Sequence, residues 1–91
     1  MARFEWDEAK NAANVAKHGL SFEQAAAIFG GPVVSRTDRR GDYGEVRTVS
    51  YGALGGQVIA AVVHTDRQGA TRIISARLAS ARERRDYHGA L

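Results

Sequence analysis

From Phe22 to Phe29 the apolar side chains fall at i, i+3, i+4 and i+7: Phe22, Ala25, Ala26 and Phe29. That spacing predicts a helix with one buried face. Ser21 and Gln24 form an S-x-x-Q capping box at its start, and Gly30, Gly31 and Pro32 stop it. The preceding stretch, DEAKNAANVAKHG, predicts a first helix with Asp7 as N-cap and Gly19 as its stop. Its small apolar face is Ala9, Ala12, Ala13 and Ala16, and Lys10, Asn14 and Lys17 form a polar stripe. A third helix opens at the S-x-x-E box of Ser80 and Glu83 and is expected to close at Gly89.

Other segments carry strand patterns. RFEW, Arg3–Trp6, reads as a short edge strand, and VVSR as another short one. TDRRGDYGE reads as a polar loop. Val46–Gly52 alternates, with Arg47, Val49 and Tyr51 on one face. QVIAAVVH is apolar on both faces, as a central strand is. In TRIISAR, alternation puts Ile73, Ser75 and Arg77 on one face and Arg72, Ile74 and Ala76 on the other. The expected order is one strand, two helices, three or four antiparallel strands and a last helix: an α+β fold.

Ninety-one residues make one domain, 1–91, with a single modest core. There are no cysteines, which excludes disulfides and thiolate metal sites and fits a reducing compartment. No signal-peptide pattern is visible, and the longest apolar run, Val58–Val63, is too short to span a bilayer. Charge adds more. Residues 1–30 hold three cations and four anions, while residues 31–91 hold ten cations and six anions, and all ten are arginine. Arginine grips phosphate or carboxylate with a planar fork. A nucleic acid or an acidic protein is the partner this balance suggests.

The chain has no phosphate-binding glycine loop, and His18, His64 and His88 lack metal-ligand spacing. What remains is arginine on a sheet. Arg47 and Arg77, on neighbouring or near-neighbouring strands, would converge if their faces agree, which suits the charge of a phosphodiester in cleavage. The alternative is that each pairs with a carboxylate, for which Glu45, Asp66 and Glu83 are available. Glu83 is itself explained by its capping box. Arg77 ends a strand three residues before Ser80 starts a helix, so fork, helix N-terminus and Arg82 form a candidate anion site.

The blocks FEWDEAKNAANVAKHGLSFEQAAAIF, GEVR and RIISARLASARERRDY, in this order, resemble the BrnT family, toxins of type II toxin–antitoxin modules. The resemblance covers nearly the whole chain and is weakest over residues 31–43. It implies a RelE-like fold: a small antiparallel sheet with two N-terminal helices and one C-terminal helix. It implies a cytoplasmic endoribonuclease that needs no metal or other cofactor. Its partners would be RNA and a cognate BrnA-type antitoxin, with DNA reached only through that antitoxin and no role for a membrane. By motif position Arg77 and Tyr87 correspond to groove residues, with Arg47 as a second phosphate clamp.

The reaction this implies is attack of a ribose 2′-OH on its own phosphate, which requires a base, an acid and charge stabilisation. Arg47 and Arg77 would stabilise the phosphorane, Tyr87 would orient or transfer a proton, and His18 or His64 would be the acid. The residues alone equally allow Tyr87 as a core or lid aromatic and His18 as a complement to the dipole at its helix end. Lys10, Lys17, His64, Arg72 and Arg82 would contact the flanking nucleic acid, the lysines at its phosphates. The alternatives are a non-catalytic basic module that binds an antitoxin or nucleic acid, and a purely structural interaction domain.

Overall fold

The computed structural model describes residues 3–41 and 43–91. Strand β1 (Phe4–Glu5) leads into helix α1 (Glu8–His18) and the short helix α2 (Phe22–Ala26), which tightens into a 3-10 turn at Ala27–Gly30. Strands β2 (Val33–Asp38), β3 (Arg47–Gly55), β4 (Val58–Arg67) and β5 (Ala70–Leu78) follow, and helix α3 (Ala81–Ala90) ends the chain. The fold is α+β. The five strands lie in the order β1-β5-β4-β3-β2. Strands β2 to β5 are antiparallel, but β1 pairs parallel with β5, so the expected antiparallel sheet is a mixed one.

The helix starts follow the local chemistry. Asp7 accepts from the Lys10 amide, and both serine boxes close reciprocally. Gly19 ends α1 at φ 68°, a left-handed conformation that glycine adopts without strain. Gly89 does not close α3, which runs on to Ala90.

The main core lies between the N-terminal helices and one sheet face. Phe22, Ala25 and Ile28 pack there on Ala60, Val62, Ile73 and Ala76, with Phe29 and Trp6 at its margin. The change from α-helix to 3-10 turn brings Ile28 under Ala25 at a spacing of three, which turns it fully inward. Gly52 permits this approach, because a Cβ there would lie 2.8 Å from the Cβ of Ile28.

Helix α1 differs from its sequence pattern. Ala9, Ala12, Ala13 and Ala16 face solvent, and Asn11 and Asn14 are buried. The Asn14 amide donates to the carbonyls of Leu20 and Ala76, and its oxygen accepts from the Ala76 amide. It thus occupies the edge of β5 where β1 has ended, and satisfies backbone groups that an edge leaves open. Asn11 joins the Phe22 amide to Glu23 in the same manner.

Strand β5 also departs from simple alternation. Ser75 pairs with Val63 and Ile73 with His64, so Ile74 is an extra, bulged residue. The bulge puts Ile73 and Ala76 together on the core face, where both are buried, and Ser75 and Arg77 on the other.

Candidate active-site groove

The sheet face opposite α1 and α2 is only partly covered. Helix α3 packs over one end of it, where Tyr87 and Ala79 meet Tyr51, Ile59 and Ala61. Beside this cluster lies an open groove of about 570 Å³. Alternation places its lining: Arg36 and Asp38 from β2, Val49 and Tyr51 from β3, Ala61 and Val63 from β4, Ser75 and Arg77 from β5. Arg39 and Arg40 follow β2, and Lys17 and His18 reach the rim from the end of α1. Among the described residues, five cations thus face two carboxylates, Asp38 and Glu83.

Arg77 is the most constrained of the five. Its Nη1 and Nη2 donate to the two oxygens of Glu83 at 2.7 and 2.9 Å. Glu83 also accepts from the Tyr51 hydroxyl and the Ser80 amide. These donors hold the Glu83 carboxyl far below the usual carboxylate range, the Arg77 fork contributing most. Burial, reinforced by the same carboxylate, pushes the Tyr51 hydroxyl upward, so it remains a donor. Where β5 meets α3, the Nη1/Nη2 end of the Arg77 fork is thus taken by an internal anion, the Glu83 side chain. Across the floor, Asp38 accepts from the backbone amide, Nε and Nη2 of Arg40. Its side chain is 2 % exposed, and these hydrogen bonds lower its pKa. Arg36 lies over the Tyr51 ring at 5.3 Å.

The groove gathers Arg77, His18 and Lys17 from the residues that sequence reasoning selects, and not the others. Arg47 shares the groove face but lies four residues along β3 from the Tyr51 row, about 13 Å at strand spacing. It pairs with Glu45 and stacks on Tyr43 at 3.8 Å, so the two strand arginines do not converge. Tyr87 is 4 % exposed and its hydroxyl donates to the Pro32 carbonyl, which makes it the anchor of α3 rather than a groove side chain. His64 points to the helix-covered face, against Phe29, with Nε2 bound to Ser50 at 2.7 Å. Burial lowers its pKa. Arg72 is held by Glu5 across the β1–β5 pair. Lys10 on α1 and Arg82 on α3 are exposed outside the groove lining.

The sequence reading missed Arg36, Asp38, Arg39 and Arg40, because their segment reads as the end of a short strand and a polar loop. The structure extends β2 to Asp38. The signal was the alternation Val34, Arg36, Asp38, which continues the strand past Arg36. Alternation puts Tyr51 on the groove face, where its hydroxyl donates to Glu83, a role no local sequence signal marks. Among the described residues no three His, Asp or Glu side chains cluster as a metal site, and no helix is long and apolar enough to cross a membrane.

Two comparisons locate this arrangement among known proteins. A family model described as "Ribonuclease toxin, BrnT, of type II toxin-antitoxin system" matches residues 6–83. The crystal structure of the Brucella abortus ribonuclease toxin BrnT superposes with a TM-score of 0.66 at 30 % identity, over 88 % of this chain and 99 % of that one. A search of curated proteins gave no match.

Proposed function

The chain belongs to the BrnT family, the ribonuclease toxins of type II toxin–antitoxin systems, and from that membership we propose that the open groove binds and cleaves RNA without a metal. The observation that carries this reading is the surplus of cations on the sheet face that α1 and α2 leave open and α3 covers at one end only. A phosphodiester entering the groove meets Arg77, Arg40, Arg36 and Lys17 together. The ribose 2′-OH attacks its own phosphorus, the 5′-oxygen leaves, and the products are a 2′,3′-cyclic phosphate and a 5′-hydroxyl. Charge on the non-bridging oxygens is balanced by guanidinium, with Arg77 the main donor. His18, at the rim, is the group placed to transfer a proton. Arg47 and Tyr87 support this site from outside it, through the β3 end and the seat of α3. The protein acts in the cytoplasm as a RelE-like toxin. It is held there by a BrnA-type antitoxin whose acidic or amphipathic segment covers the groove, and it reaches DNA only through that partner.

Purified protein incubated with RNA and a chelator tests the reading, which requires cleavage and cyclic-phosphate ends. Arg77→Ala should cut the rate by about 10²–10³-fold, the scale for one lost charge-stabilising donor. RNA affinity should fall with salt, with a logarithmic slope of about −0.7 per phosphate neutralised. One observation favours a second reading, a non-catalytic basic module: Arg77 and Arg47 are both already paired with carboxylates. Salt-dependent binding with no cleavage in chelator decides for that reading.

A further inference from the structure

The two carboxylates that line the groove hold their arginines by different edges. A guanidinium offers five N–H donors and two bidentate edges: an end edge of Nη1 and Nη2, and a side edge of Nε and Nη2. Glu83 takes the end edge of Arg77, and the second Nη1 hydrogen goes toward the Leu78 carbonyl. The side edge, Nε–H with the second Nη2–H, receives no acceptor among the described residues. Asp38 takes the side edge of Arg40. There the end edge, formed by Nη1 and the second Nη2–H, receives no acceptor among the described residues. Each carboxylate is fixed in turn. Glu83 is anchored by the Ser80 amide and the Tyr51 hydroxyl. Asp38 is anchored by the Arg40 amide and by burial of its side chain.

We propose that Asp38 and Glu83 are positioning residues, which grip one edge of Arg40 and of Arg77 and leave the other edge of each to receive an RNA phosphate. The inference rests on the RNA-cleaving reading of the groove and adds two things to it. Arg40, rather than Arg47, is the second phosphate clamp. The two acidic side chains of a basic groove are part of its machinery. Strands β2 and β5 flank β3 and β4, so the two clamps stand on opposite sides of the floor. A free arginine would sample many rotamers and lose that freedom on binding. A gripped one has already lost it, so the fork meets the phosphate ordered. The α3 capping box contributes twice, since the glutamate that caps the helix also aims Arg77.

Glu83→Gln tests this without removing the cap, because glutamine serves in the same box at Gln24. Asp38→Asn is the matching change on the other wall. Each variant should lower kcat by about 10²-fold, the scale of a small misplacement of a catalytic group. Affinity for an RNA blocked by a 2′-deoxy sugar at the cleavage site should stay equal or rise, because one negative charge has left a basic groove. A structural role predicts instead that affinity and rate fall together with the melting temperature, and that result overturns the proposal. So does an unchanged kcat in both variants while the wild type cleaves. Arginine side-chain NMR supplies a readout independent of cleavage. Adding the blocked RNA to the wild type should move the Arg77 Nε–H signal and leave its Nη groups held by Glu83. Release of those Nη groups on binding would mean that RNA displaces Glu83, and would overturn the proposal. A wild type that neither binds nor cleaves RNA removes the underlying reading itself, and the inference with it.

Discussion

The two faces of the sheet are built from the same strands and solve opposite problems. On the helix-covered face, neighbours from distant parts of the chain bury Phe22, Ile28, Val62 and Ile73 almost completely. On the groove face, apolar packing gathers at the end under α3, and the groove beside it carries Val49, Val63 and Ser75 with a surplus of cations, of which carboxylates hold Arg40 and Arg77. The first face earns stability from area removed from water. The second gains little, because partly exposed ion pairs contribute about 0–1 kcal/mol each. The charged pairs of the groove are therefore poorly explained as props for the fold, and better explained as a means of ordering arginine.

Substitutions on the two faces should separate in what they affect. Phe22→Ala should cost about 3–5 kcal/mol, a large part of the stability of a domain this size. Denaturant unfolding measures this, and cleavage per folded molecule should be preserved. Loss of cleavage in protein that remains folded would erase the division between the faces. Asn14→Ala comes next. It strands the Leu20 carbonyl and both polar groups of Ala76, at about 1–3 kcal/mol for each group left away from water. Hydrogen exchange should rise first along β5 and α1. Gly52→Ala should cost about 1–3 kcal/mol by overpacking against Ile28, read as a lower melting temperature with no change in RNA affinity. The smallest expected effect is a pH dependence. Burial lowers the His64 pKa in the folded chain from its ordinary 6.5, so below that pH the unfolded chain binds more protons than the folded one. Its contribution is present above pH 6.5 and is lost as pH falls through the folded value. The melting temperature should decline over that window, and His64→Gln should flatten the decline. A slope unchanged in the variant would show that another group carries it.

Much of the covered face was legible in the sequence, because the signals there are local. Capping boxes span three residues, and the Phe22–Phe29 stripe fits within two turns. The apolar run of β4 needs no partner to be read as central. The parts that escaped depend on distant partners. Asn14 is buried because it meets Ala76, 62 residues away, and nothing in a run of alanines reveals that the helix turns its asparagines inward. The bulge at Ile74 follows from pairing with β4 and is invisible in the alternation of β5 itself. The groove was half legible. Arg77 and its S-x-x-E partner lie close in sequence, but whether their pairing cancels or aims the arginine is decided by which edge of the fork is taken. Arg40 escaped because a strand read as ending at Arg36 leaves Asp38 in a loop, where a buried carboxylate has no reason to be.

The bulge bears on how related sequences are to be aligned. Ile74 is surplus to the ladder, since its neighbours Ile73 and Ser75 already pair with adjacent residues of β4. A chain lacking that residue would pair without interruption, its isoleucine still in the core and its arginine still in the groove. The number of residues between them is therefore no fixed ruler for the site. A relative one residue shorter at this point would show a gap inside the R-I-I-S-A-R block, and would score poorly there. It could nevertheless present an equivalent guanidinium at an equivalent place, and a comparison made by strand pairing would find it where motif spacing would not.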